Sequence, residues 1–289
     1  MHSTAWLCSC RYSNRVDCVM NKVTALKKIL LAGVLLSLLG AYHEWVYMAP
    51  GPHLEIEGLL KKPNYRDVGQ SINECLLEAS ETFGISQPIL NTGLIHRANK
   101  WFSGWSCDKV GNPDHIYTLN YEPEKDHSYY CRRSDGNKVH GTIFSKEKEI
   151  SDIEFLASWR DSVLEKVVCS TVKAIAENIV AGKSSLYHCE AGRDRTGAMS
   201  ALFAAAALEH ALPLSLASRN EQIERAVECD YRKSKSIGED KYGRMSNFIK
   251  ELRNLGYGQN GYEVSSFLIE HCELDADLIN KSLKKMVAR

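Results

Sequence analysis

The sequence predicts an α/β domain with a central, largely parallel sheet flanked by helices, a helical C-terminal region and a hydrophobic segment ahead of it. Three observations predict this. Short β-type runs alternate with helical patterns between Asn91 and Leu212. Their order of strand, long helix, strand, helix requires parallel pairing through right-handed crossovers. Ser185-Leu186-Tyr187 runs into a glycine-containing loop and then an alanine-rich stretch from Ala198 to Leu212, the layout of a strand, a tight turn and a helix N-terminus.

The chain begins with a targeting-type segment. Lys22, Lys27 and Lys28 precede an uncharged apolar run from Ile29 to Tyr42. At 1.5 Å per residue this run reaches about 21 Å, short of a bilayer core of about 30 Å. Extending it to Met48 lengthens it at the cost of His43 and Glu44. The run is apolar on every face, which disfavours a buried amphipathic helix. We expect residues 1–49 to carry an uncleaved signal anchor at about 29–48, with secretion after signal cleavage as the alternative. Lys27 and Lys28 would place residues 50–289 outside the cytoplasm.

Beyond the linker Pro50-Gly51-Pro52, strands are expected at Asn91 to Arg97, His115 to Asn120, Val139 to Phe144 and Ser185 to Tyr187. Ser151-Asp152-Ile153-Glu154 has the form of a capping box, opening a helical stretch that breaks near Trp159 to Asp161 and ends at Gly182. Amphipathic segments at Asn220 to Glu228, Met245 to Leu255, Tyr262 to His271 and Asp275 to Val287 predict an all-helical cap.

The chemistry concentrates in His188-Cys189-Glu190-Ala191-Gly192-Arg193-Asp194-Arg195-Thr196-Gly197. A loop between a strand and a helix N-terminus presents backbone N–H groups to an anion, and a thiol held there is stabilised as thiolate. Cys189 and Arg195 bracket five residues, so a loop curled round one phosphate returns the guanidinium over the sulfur. Arg195 can then grip two phosphoryl oxygens, as a lysine could not. Thr196 would set a hydroxyl beside the sulfur. The pattern H-C-x-x-G-x-x-R-[ST]-G arises by chance about once per ten million positions, which sets aside the bland reading of a buried cysteine beside a helix cap.

This loop resembles the signature of the cysteine-dependent phosphatases, the protein-tyrosine and dual-specificity superfamily. Asp194-Arg195-Thr196-Gly197 is similar to the ending found in an atypical, mostly microbial branch and in some phosphoinositide phosphatases. Asn64-Tyr65-Arg66-Asp67-Val68-Gly69 resembles the opening motif of that branch, and Gly93-Leu94-Ile95-His96-Arg97-Ala98 the strand that follows it. The resemblance implies Cys189, Arg195 and Asp194 as catalytic residues. It implies Glu190, Ala191, Gly192, Arg193, Asp194 and Arg195 as the phosphate cradle, with His188 and Thr196 in support. The implied activity is a phosphomonoesterase acting on phosphoprotein. Phosphoinositides or inositol phosphates are the alternative substrates, and a phosphate-binding pseudophosphatase the non-enzymatic one.

The family's separate acid loop departs here, because residues 139–149 contain no aspartate. Asp152 and Asp161 follow in a helical pattern. The resemblance to the atypical branch, where this aspartate is close to the leaving-group oxygen, makes Asp194 the preferred general acid, and a purely structural carboxylate that orients Arg195 is the competing reading. Net charge is zero, with 36 basic and 36 acidic residues, so no nucleic-acid partner is expected. No His/Cys cluster has metal-ligand spacing, and no cofactor or metal is expected. Past Met20 come Cys75, Cys107, Cys131, Cys169, Cys189, Cys229 and Cys272. Without Cys189 six remain, which could pair or stay as buried thiols. Trp101, Phe102 and Trp105 could flank a substrate entrance or pack in the core. Arg132-Arg133 could hold a second phosphate or form a solvated turn. Lys281, Lys284 and Lys285 read as a solvated face.

Overall fold

The computed structural model describes residues 28–38, 64–78, 85–119, 129–142, 162–234, 237–255 and 263–288. Residues 28–38 form a helix whose Ile29, Leu31, Leu36 and Leu38 are exposed. Among the described residues no helix is long and apolar enough to cross a membrane. The rest of the expected anchor, the Ser151 capping box and the proposed break at Trp159 to Asp161 lie outside the described residues.

Among the described residues, the unit Pro50–Arg289 holds a sheet of six strands: β1 (Arg66–Asp67), β2 (Ile95–Asn99), β3 (His115–Thr118), β4 (Tyr130–Arg132), β5 (Lys138–Thr142) and β6 (Ser185–Cys189), in the order β1-β2-β6-β3-β5-β4. The pairs β2/β6, β6/β3 and β3/β5 are parallel, while β1 and β4 join antiparallel at the two edges. The largely parallel sheet expected from the sequence is thus present. The first expected strand is displaced, starting at Ile95 rather than Asn91. Gly93 turns the chain with φ +81, and Asn91 instead bonds Met286 O, Lys285 O and Val287 O.

The helices are α1 (Val68–Glu78), α2 (Ser162–Val180), α3 (Asp194–Ala211), α4 (Leu216–Arg232), α5 (Arg244–Leu255) and α6 (Ala276–Met286). Asp67 starts α1 by accepting from Gln70 N at 2.8 Å, and Asp275 caps α6 by accepting from Leu278 N. All six pack into one core with Ile95, Tyr117 and Tyr187 from one face of the sheet. The opposite face, with Ala98, Ile116 and Leu186, is covered among the described residues by short turns carrying Phe102, Cys107 and Val110. The described flanking helices therefore lie on one side.

Helix α3 explains the alanine run. It is buried along nearly its whole length, with Ala204, Ala205, Ala206 and Ala207 at 0 % exposure. Methyl side chains let the sheet on one side and α4, α5 and α6 on the others approach closely, while Leu202, Phe203 and Leu208 each contribute about 1.5–3 kcal/mol by burial. The C-terminal helices are thus a layer of the main core rather than a separate cap. The segment at 264–271 is less regular than expected: one α-turn, Val264–Ser266, passes into a π-turn, Phe267–His271.

Among the described residues six cysteines pair, as Cys75–Cys229, Cys107–Cys131 and Cys169–Cys272. Cys75–Cys229 ties α1 to α4, Cys169–Cys272 ties α2 to the turn before α6, and Cys107–Cys131 fastens the turn cover to β4. Among the described residues Cys189 alone stays free.

Candidate active site

Strand β6 delivers Cys189 at its C-terminal end, beside Asn99 of β2, and the chain then turns through residues 190–193 into α3. Gly192 has φ +66, and a Cβ there would stand 2.8 Å from the Ala98 carbonyl and Asn99 N. Only glycine lets the loop press this closely on the end of β2.

Three carbonyls of the loop are pulled outward. Asn64 Nδ2 donates to Gly192 O at 3.0 Å and to Ala191 O at 3.4 Å; Arg97 Nη2 donates to Gly192 O at 3.0 Å and Arg193 O at 3.4 Å. In a trans peptide C=O and N–H point opposite ways. The N–H groups of Gly192, Arg193 and Asp194 therefore turn away from Asn64 and Arg97, into the loop. The orientation of these peptides is set by two side chains outside the loop, not by the loop alone.

Beneath it lies a buried charge cluster. Arg97, 0 % exposed, pairs with Asp230 Oδ2, and Arg66 Nε approaches Asp230 Oδ1 at 3.3 Å. Ser71 Oγ donates to Asp230 at 2.7 Å, and Arg66 and Arg97 both reach Ser234 Oγ. Burial works against the Asp230 charge, but Arg97, Arg66 and Ser71 outweigh it and hold the carboxyl below its ordinary range. Burial, then the nearby Arg97, draws Arg66 down to about 10, so it stays charged near neutrality. The Asn64-to-Gly69 motif thus acts structurally. Asn64 braces the loop and accepts from Arg66 Nη1 at 3.4 Å, Asp67 caps α1 and accepts from Gly93 N, and a Cβ on Gly69 would lie 2.1 Å from Asn91 O.

Within the loop, Thr196 Oγ1 donates to Cys189 Sγ at 3.0 Å. Arg195 is 4 % exposed, with Nη1 donating to Leu119 O at 3.0 Å. This anchor pre-orders the guanidinium fork for an anion. Asp194 opens α3, and its Oδ1 accepts from Tyr231 OH at 2.5 Å and Arg244 Nη1 at 3.4 Å. Glu190 is on the rim, paired with Lys100, whose ammonium lies 5.3 Å from the Trp101 ring. Arg193 occupies the position before α3.

His188 is fully buried, 2.9 Å from Thr118 Oγ1 and packed edge-on against Phe102 and Tyr129. Burial, with Arg195 adding to it, pushes His188 down to about 3, so it is neutral at working pH and positions the strand end rather than moving protons. A prediction follows from the sign. Between about pH 6.5 and 3 the unfolded chain binds a proton that the fold refuses, so stability falls as pH drops through that window. The loss should be on the order of a few kcal/mol by pH 4. Urea midpoints at pH 7 and pH 4 should separate clearly in the natural protein and much less in His188→Gln; equal separations would reject the assignment.

Other expected participants sit elsewhere. Phe102 and Trp105 are core residues at 0 % and 2 % exposure, and only Trp101 reaches solvent. Arg132 lies over the Tyr130 ring and Arg133 pairs loosely with Asp114. Lys281 pairs with Asp277, while Lys285 donates to Val180 O. Residues 143–149, Asp152 and Asp161 are outside the described residues.

Residues 125–209, a stretch that includes the loop, match the model of the tyrosine phosphatase family. No curated protein matches the chain. This segment is thus similar to the tyrosine phosphatase family, which supports the resemblance to the cysteine-dependent phosphatases and phosphatase activity in general.

Proposed function

We propose that the protein is a phosphomonoesterase of the protein-tyrosine or dual-specificity type, working through a cysteinyl-phosphate on Cys189. The observation that carries the reading is Cys189 Sγ held by Thr196 at the mouth of a loop whose carbonyls face outward. The thiolate attacks phosphorus while the N–H groups of residues 190–195 and the Arg195 fork hold the equatorial oxygens. The S–P bond forms, the P–O bond breaks, and an acid protonates the departing oxygen. Water then attacks the cysteinyl-phosphate, and Thr196 Oγ1 stabilises the thiolate as it leaves.

Asp194 is the proposed acid. Asp194→Asn keeps the shape but supplies no proton. We expect its kcat on phosphotyrosine to fall by roughly a hundredfold, and far less on an activated aryl phosphate. Equal losses on both would make Asp194 a support for Arg195 and move the acid elsewhere.

Arg193 and Asp194 inside the loop favour a second reading, in which the substrate is a phosphoinositide or inositol phosphate. Turnover of a panel of phosphopeptides against phosphoinositides by the purified chain separates the two. Intact Cys189, Arg195 and Thr196 argue against a pseudophosphatase. We also propose an extracytoplasmic catalytic unit behind an N-terminal anchor, or one secreted after signal cleavage. Lys27 and Lys28 before the apolar run and three disulfides support it, since such bridges persist in oxidising compartments. A reporter fused after Arg289 tests this; a cytoplasmic signal would overturn it.

A further inference from the structure

Consecutive residues near the end of α4 reach the two halves of the loop. Successive helical positions lie about 100° apart, so Asp230 and Tyr231 face different ways. Asp230 gathers Arg97 and Arg66, and Arg97 with Asn64 holds the carbonyls of Ala191, Gly192 and Arg193. Tyr231, 0 % exposed, crosses the start of α3 instead. Its ring lies so close to Gly197 that a Cβ there would be 2.9 Å from Tyr231 Cδ2. The glycine ending the motif is therefore the space through which Tyr231 reaches Asp194.

At Asp194 the two carboxyl oxygens differ. Oδ1 accepts from Tyr231 OH at 2.5 Å and from Arg244 at 3.4 Å, whereas Oδ2 has no hydrogen bond among the described residues. An oxygen accepting two donors is the poorer seat for a proton, so a protonated Asp194 carries it on Oδ2.

We propose that Tyr231 is a positioning residue for the reaction: its hydroxyl fixes the Asp194 carboxyl and directs the transferable proton to Oδ2. This rests on reading Asp194 as the acid. In the first step Oδ2 gives its proton to the departing oxygen as S–P forms and P–O breaks. In the second, the resulting carboxylate takes a proton from the attacking water as O–P forms and S–P breaks. Tyr231 gives up no proton in either step. Burial, followed by its bond to Asp194, pushes the phenol well above its ordinary range, which keeps it a donor throughout.

Tyr231→Phe removes the hydroxyl and leaves the ring over Gly197. On phosphotyrosine we expect kcat to fall about tenfold with KM within about twofold, and a smaller fall on an activated aryl phosphate. In an Asp194→Asn background the same change should add nothing, because the group it positions no longer carries a proton. Thermal unfolding of each variant checks that the fold survives, and Arg244→Gln, which touches the same oxygen from the surface, gives a second reading should Tyr231→Phe unfold. Equal losses on both substrates, no loss, or full additivity with Asp194→Asn would overturn the proposal. If Asp194→Asn alone discriminates between leaving groups while Tyr231→Phe does not, only the positioning role fails. If Asp194→Asn does not discriminate, the acid assignment fails and takes this role with it.

Discussion

Cys189→Ser is expected to lower turnover of a small aryl phosphate by about 10⁴-fold or more, while leaving its affinity for phosphate or vanadate nearly intact. The asymmetry follows from the site. On the proposed mechanism, anion binding comes from the loop N–H groups, whose carbonyls Asn64 and Arg97 hold, and from Arg195, none of which the substitution touches. The proposed nucleophile is lost, and with it the sulfur that Thr196 Oγ1 bonds and would stabilise as the leaving thiolate. Arg195→Ala should instead damage affinity and rate together, since on the proposed mechanism its fork would contact the phosphoryl oxygens in both the ground and the transition state. Chelators should change neither protein. Substantial turnover by the serine variant would end the covalent mechanism.

Asp230→Asn should be the most damaging change away from the loop, costing about 3–5 kcal/mol of stability. Asparagine keeps the shape but not the charge, so Arg97 at 0 % exposure and the largely buried Arg66 lose the anion that offsets their desolvation. For a domain of this size the melting temperature should drop by roughly 10 °C. Phosphate affinity should fall as well, because Arg97 is also what holds Gly192 O and Arg193 O outward. An unchanged melting temperature would show that Arg97 does not depend on Asp230.

Much of this was legible in the sequence because it is local. A strand feeding a glycine-containing loop and an alanine-rich helix is a continuous stretch of chain, and Cys189, Arg195 and Thr196 fall together by spacing alone. The helical C-terminal third showed its periodicity, but not its target: nothing in that periodicity indicates that α4, α5 and α6 close around α3. Two-residue β1 and three-residue β4 are too short to leave a pattern. The disulfide partners lie up to 154 residues apart, and spacing alone cannot choose among the possible pairings. Asp230 and Tyr231 were the real omission. Each is an ordinary residue on an amphipathic helix, and its role exists only once α4 lies across the loop. The one sequence signal that reached toward them was the Asn64-to-Gly69 motif, whose Arg66 turns out to share Asp230 with Arg97.

The covalent intermediate is the claim on which the account stands, and acid-quench trapping tests it directly. The purified protein is mixed with a radiolabelled phosphotyrosine peptide, quenched in acid within the first turnovers, digested, and mapped by mass spectrometry. The account predicts phosphate on the sulfur of the peptide that contains Cys189, at up to one per protein chain, and none in Cys189→Ser. Continued turnover with no label on Cys189, or label on a different residue, would contradict it.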